Sequence, residues 1–103
     1  MHFGLSSRDL ETISKIFSKY SEVKSVVLFG SRALGNYKNS SDIDLVILDE
    51  NISSSTFSKI KNDLEESTLP YFVDLIMYSN ITEPNLINQI QKTGIKFWER
   101  NEK

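Results

Sequence analysis

Three aspartates and a glycine–serine pair are the residues of this chain best suited to chemistry. Asp42 and Asp44 stand two apart at the front of an apolar run, IDLVIL. Residues two apart on an extended strand share a face, so both carboxylates point one way while Ile43, Leu45 and Ile47 point the other. Two such charges ~4 Å apart repel by about 4 kcal/mol at an effective dielectric of about 20. A fold answers by protonating one, by hydrating both, or by placing a cation between them. An isolated Asp-x-Asp is more often a solvated turn than a metal site. Asp74 interrupts a second apolar run, YFVDLIM. A charge there is costly to bury unless it is paired or bound to metal. The other reading is an edge strand whose acid faces water or a lysine. If the two runs are neighbouring strands, three carboxylates meet on one face and require one or two divalent ions. Two ions so held suit an in-line phosphoryl displacement.

Gly30-Ser31 follows a third apolar run, KSVVLF. Glycine lets backbone approach a ligand closely. Serine then starts a turn or short helix whose free N–H groups form an anion site. Arg32 adds a positive charge that either meets a triphosphate or pairs with an acid of the sheet. Lys38 lies within reach of a phosphate, although a solvated loop lysine is the simpler reading. A lone Gly-Ser is weak evidence. The constellation carries more: Gly30-Ser31, ten residues, Asp42-x-Asp44, then an acid in a later strand.

The elements that must position these residues follow from periodicity. Residues 7–20 read as a helix capped by Ser6 or Ser7, with Leu10, Ile13, Ile16, Phe17 and Tyr20 on one face. Residues 24–29, 43–48 and 71–77 read as strands. Residues 55–67 form a helix with Phe57, Ile60 and Leu64 on one side. Pro84 opens another, 84–93, which Gly94 ends. The tail IKFWER adds a short edge strand. The order predicts a mixed α/β (α+β) domain over residues 1–103: a small mixed sheet with helices packed on one face, the other left for a site. Tyr71, Phe72, Tyr78, Phe97 and Trp98 are either a partner surface or, more commonly for such residues, core and edge.

LFGSRALGNYKNSSDIDLVI resembles, without a gap, the GS-x10-DxD signature of the DNA polymerase β-like nucleotidyltransferase superfamily. The closest resemblance is to its minimal nucleotidyltransferases, the MntA-type antitoxins paired with HEPN-domain toxins. VDLIMYSNI resembles the segment with the third carboxylate, and NLINQIQKTGIKFWER the C-terminal helix and tail. The resemblance implies the nucleotidyltransferase fold. It assigns Gly30 and Ser31 to the triphosphate, with Arg32 or Lys38 serving where many relatives carry a basic residue and this chain has Leu34. It assigns Asp42, Asp44 and Asp74 to two Mg²⁺ ions, with Asp74 helping to deprotonate the attacking hydroxyl. The implied reaction moves AMP from ATP to a hydroxyl, a tyrosine of the HEPN toxin, in a type VII toxin–antitoxin pair. An assembly with that partner is expected. The alternative is a non-catalytic nucleotide-binding antitoxin that neutralises by contact.

Composition sets limits. The chain has 103 residues, no cysteine, one histidine and a formal net charge of −2. Thiolate chemistry, disulfides and Cys-ligated zinc are excluded. The single His2, expected at a mobile N-terminus, makes a histidine-based site unpromising. The slight acidity argues against general nucleic-acid binding. No apolar run approaches the ~20 residues that span a membrane, and nothing at the N-terminus reads as a signal peptide, so a cytoplasmic location is expected.

Overall fold

The computed structural model describes residues 2–101. In chain order the elements are α1 (Ser7–Ser18), β1 (Ser25–Phe29), α2 (Ser31–Leu34), β2 (Ile43–Ile47), α3 (Ser54–Glu65), β3 (Val73–Met77), α4 (Pro84–Thr93) and β4 (Ile95–Glu99), with a single 3-10 turn, Tyr78–Asn80, between β3 and α4. The strands form one mixed sheet in the order β3-β2-β1-β4. β1 is antiparallel to β2 and to β4, and β2 is parallel to β3. A parallel pair cannot be joined by a tight turn; here α3 makes the crossover between β2 and β3. The fold class expected from the sequence is the one found, and the tail is an edge strand as expected.

Local chemistry explains the helix boundaries. The Asp9 N–H donates to Ser6 Oγ at 3.0 Å and the Ser6 N–H returns to Asp9 Oδ2 at 3.2 Å, a reciprocal cap that fixes the start of α1. The helix ends at Ser18, two residues short of the expected stretch, with Lys19 as its C-cap. Ser53 caps α3 through the Thr56 N–H, and Pro84 sits in the first turn of α4, where its missing N–H costs nothing.

Strand alternation sorts the side chains into two packed layers. Val26, Leu28, Ile43, Leu45, Ile47, Leu75 and Met77 face α1 and α3, meeting Ile13, Ile16, Phe17, Ile60 and Leu64. Each fully buried aliphatic of this kind contributes about 2 kcal/mol. On the opposite face Phe29 and Val46 pack with Ile90 of α4, joined by Val27, Ile76 and Leu86. The helices therefore do not all share one face: α1 and α3 cover one, and α4 lies across the other. Gly94 ends α4 in extended backbone; it supplies space, since a methyl group there would meet Val27 Cγ1 at 2.7 Å.

The aromatic residues divide in the same way. Tyr71, Phe97 and Trp98 pack against the α1–α3 layer and Tyr78 against the α4 layer, whereas Phe72 is 58% exposed. The segment that follows His2 is packed: Leu5 is buried, and the ring of Phe3 lies 6.1 Å from that of Phe97. His2 is exposed. Among the described residues no helix is long and apolar enough to cross a membrane.

Candidate active site

Asp44 and Asp74 lie on the α4 side of the sheet. Asp44 pairs with Phe29 across β1–β2 and with Asp74 across β2–β3. Side chains of directly opposed residues point to the same face, so Asp44 and Asp74 stand side by side. Asp42 precedes Ile43 by one residue and shares the parity of Asp44. The Ile43 N–H donates to the Phe72 carbonyl at 2.9 Å, which carries the parallel ladder to the point where Asp42 emerges. Asp42 and Asp74 are exposed; Asp44 is half-buried. Of the two readings of Asp74, the edge strand whose acid faces water is the one found. β3 is an edge strand, and water reaches the carboxylate from its open side.

The charge conflict falls on Asp44, whose pKa is raised to about 6. Burial is the main cause, followed by the charge of Asp74 and then that of Asp42. Asp44 therefore senses the charges of both other acids. The three do not form a tight cage: among the described residues, no three Asp, Glu or His side chains gather closely enough to hold an ion by themselves. The donor set is all oxygen, the type hard divalent cations take.

Gly30 closes the site from β1. It N-caps α2 at φ 77°, ψ −157°, backbone that side-chain-bearing residues avoid. A methyl group placed on it would run into the Asp44 carboxylate. Glycine is therefore required twice, for its conformation and for the room it leaves beside the acid. The first amides of α2 begin at Ser31 and have no helical acceptor.

Arg32 departs from expectation. It is 1% exposed, and its guanidinium donates to backbone carbonyls: Nη1 to Phe3 at 2.8 Å, Nη2 to Ser41 at 2.9 Å and to Asn39 at 3.3 Å, and Nε to Ser41 at 3.3 Å. It also lies over the rings of Tyr37, at 5.1 Å, and Tyr71, at 4.7 Å. A group so enclosed cannot also hold a triphosphate, nor does it pair with an acid of the sheet. Local sequence gave no sign of this, because an arginine after a Gly-Ser turn reads first as a phosphate ligand. Lys38 is exposed, as a solvated loop lysine would be.

Comparison with known proteins gives a consistent result. Residues 11–103 match the family described as polymerase beta, nucleotidyltransferase. A probable protein adenylyltransferase MntA of Haemophilus influenzae is 31% identical over 80 residues, spanning 77% of this chain and 70% of that protein. Among solved structures, a toxin–antitoxin crystal structure with AMP-PNP superposes with a TM-score of 0.70 at 23% identity, covering 89% of this chain and 74% of the other. A complex of tri-AMPylated Shewanella oneidensis HEPN toxin with MNT antitoxin superposes with a TM-score of 0.63 at 22% identity, covering 88% and 70%.

Proposed function

Because the chain belongs to the polymerase beta nucleotidyltransferase family, we propose that it is a protein adenylyltransferase that moves AMP from ATP to a tyrosine hydroxyl of a partner HEPN toxin and so acts as its antitoxin. One observation carries this reading: Asp44 and Asp74 are paired in register on adjacent strands, with Gly30 seated against the Asp44 carboxylate. The adenylyltransferase name of the Haemophilus influenzae relative and the AMPylated toxin bound to the Shewanella oneidensis MNT antitoxin support the choice of nucleotide and acceptor.

The residues fit a magnesium-dependent transfer. Mg²⁺ commonly takes one or two carboxylates with phosphate oxygens and water, so a tight three-acid cage is not required. Asp42, Asp44 and Asp74 would hold two such ions, which when bound neutralise charge on the triphosphate. Gly30 lets the backbone approach the phosphates, and Ser31 offers its amide and hydroxyl. The acceptor oxygen attacks the α-phosphorus, the bond from that phosphorus to the bridging oxygen breaks, and pyrophosphate leaves with the electron pair. Asp74, exposed at the sheet edge, takes the proton of the attacking hydroxyl. General base assistance of this kind contributes about 10²–10⁴-fold. The partner supplies the acceptor, because the open side of β3 leaves the carboxylates accessible to a second protein.

Incubating the chain with its partner toxin, Mg²⁺ and ATP labelled in the α-phosphate tests the proposal. Label is expected on the toxin and is expected to vanish with Asp42→Asn or Asp44→Asn. Toxin neutralised equally by both variants, without label, would establish inhibition by contact instead.

A further inference from the structure

Arg32 joins four parts of the chain at one point. It belongs to α2, next to Ser31. Its Nη2 and Nε both donate to the carbonyl of Ser41, the residue before Asp42, and Nη2 also reaches Asn39 in the same loop. Its guanidinium plane lies over Tyr71, just upstream of β3 and Asp74, and over Tyr37 in the α2–β2 loop. Nη1 donates to Phe3 in the N-terminal turn. That turn closes tightly, since a methyl group on Gly4 would lie 2.8 Å from Arg32 Nη1 and would run into the Tyr37 ring. Phe3 and Tyr71 pack with the α1–α3 layer, on the side of the sheet opposite Asp44 and Asp74. The guanidinium is thus fixed behind the carboxylates.

We infer that Arg32 is a positioning residue that sets the placement of Asp42 relative to Gly30-Ser31 and Asp74, without touching nucleotide. The inference rests on the adenylyl-transfer reading above. Its physical basis is the shape of the side chain. A buried cation must satisfy its donors, and no buried side-chain nitrogen or oxygen among the described residues lacks a partner. The rigid fork of a guanidinium can fill several carbonyl acceptors and stack on two rings at once, whereas an ammonium is a point charge on a flexible stem. Arg32→Lys therefore keeps the charge and loses the geometry.

The test uses Arg32→Lys and, as a second variant should that one fail to fold, Tyr37→Leu, which removes one ring of the stack. Three quantities are measured on protein shown to be folded by circular dichroism: kcat and KM for ATP in transfer to the partner, Mn²⁺ affinity in the presence of ATP but without partner, and hydrogen exchange at the amides of residues 39–42. A misplacement of about 1 Å can cost about 10²-fold in rate. The expected result for Arg32→Lys is a fall in kcat of that order, a KM for ATP within about 3-fold of wild type, weaker Mn²⁺ binding and faster exchange at residues 39–42. Tyr37→Leu should move the same quantities in the same direction by less. A raised KM with kcat unchanged would overturn the inference in favour of phosphate binding. A lower melting temperature with kcat, KM and Mn²⁺ affinity all unchanged would overturn it in favour of a purely structural role. Absence of transfer by the wild type would refute the proposed function alone, since Mn²⁺ affinity and exchange still decide the role of Arg32.

Discussion

Asp44 carries a cost that a bound cation would relieve, and that cost depends on pH. Its carboxyl titrates at about 6 in the fold, against about 3.9 for an aspartate in an unfolded chain. Between these values the folded protein keeps a proton that the unfolded chain has released. The contribution of Asp44 to metal-free stability therefore falls as pH rises through this window and stays lower above it, opposite in sign to those of Glu22 and Asp63, whose carboxyls are held below the usual range by hydrogen bonds. Because Asp44 is only half-buried, solvent screening reduces the penalty to about 1 kcal/mol. Asp44→Asn is expected to remove this slope, so that urea denaturation at pH 7 gives a more stable metal-free protein than wild type, with little difference at pH 4. A difference between wild type and Asp44→Asn that stays constant from pH 4 to pH 7 would show that the acids are simply hydrated. Gly30 offers a second test at the same scale. Gly30→Ala adds backbone strain of about 1–3 kcal/mol and pushes on the Asp44 carboxylate. Gly35, at φ 87° with nothing within 4 Å of an added methyl group, supplies strain without the crowding. Both alanine variants should melt lower, and only Gly30→Ala should lose transfer activity per folded molecule.

At the scale of elements, the site depends on how β1, β2 and β3 are held at one end while their far ends are tied down. Arg100, just after β4, donates through Nε to the Val23 carbonyl at 3.0 Å and through Nη2 to the carbonyls of Tyr20, Phe17 and Ser18. These are acceptors at and beyond the C-terminus of α1, where helical partners run out. The same side chain lies over Trp98, 5.3 Å from its ring. Arg100→Ala is expected to cost about 2 kcal/mol in urea denaturation, as for hydrogen bonds from a charged donor, while leaving the acids and the activity of the folded fraction intact. Much at this scale was legible in sequence. Apolar spacing marked α1, α3 and α4, and β-branched runs marked the strands. The face chosen by α4 was not legible: Leu86 and Ile90 show that the helix has an apolar side, but not which side of the sheet receives it. That choice follows from Phe29, Val46 and Ile76, whose inward or outward direction is defined only once strand order is known.

For the molecule as a whole, the legible part of the site was the part encoded within single strands. Alternation predicts one face for Asp42 and Asp44, and the register of β2 with β3 brings Asp74 beside Asp44. The fate of Arg32 was hidden, because it is decided by the Phe3 carbonyl and the Tyr71 ring, contributed by segments distant in the chain. A chain of 103 residues has a thin margin of stability, so a ligand that binds only the native state should change its melting visibly. ATP with Mg²⁺ at about 100 times its dissociation constant would add about 2.7 kcal/mol. For a chain of this length that corresponds to a rise of about 10–20 °C in Tm. ATP with EDTA, or Mg²⁺ alone, should produce much less, because the acids do not gather into a cage that holds an ion unaided. Asp42→Asn and Asp44→Asn should flatten the response to the pair. A Tm unmoved by ATP and Mg²⁺ together, in protein confirmed as folded, would reduce the carboxylates to surface charges that happen to share a face.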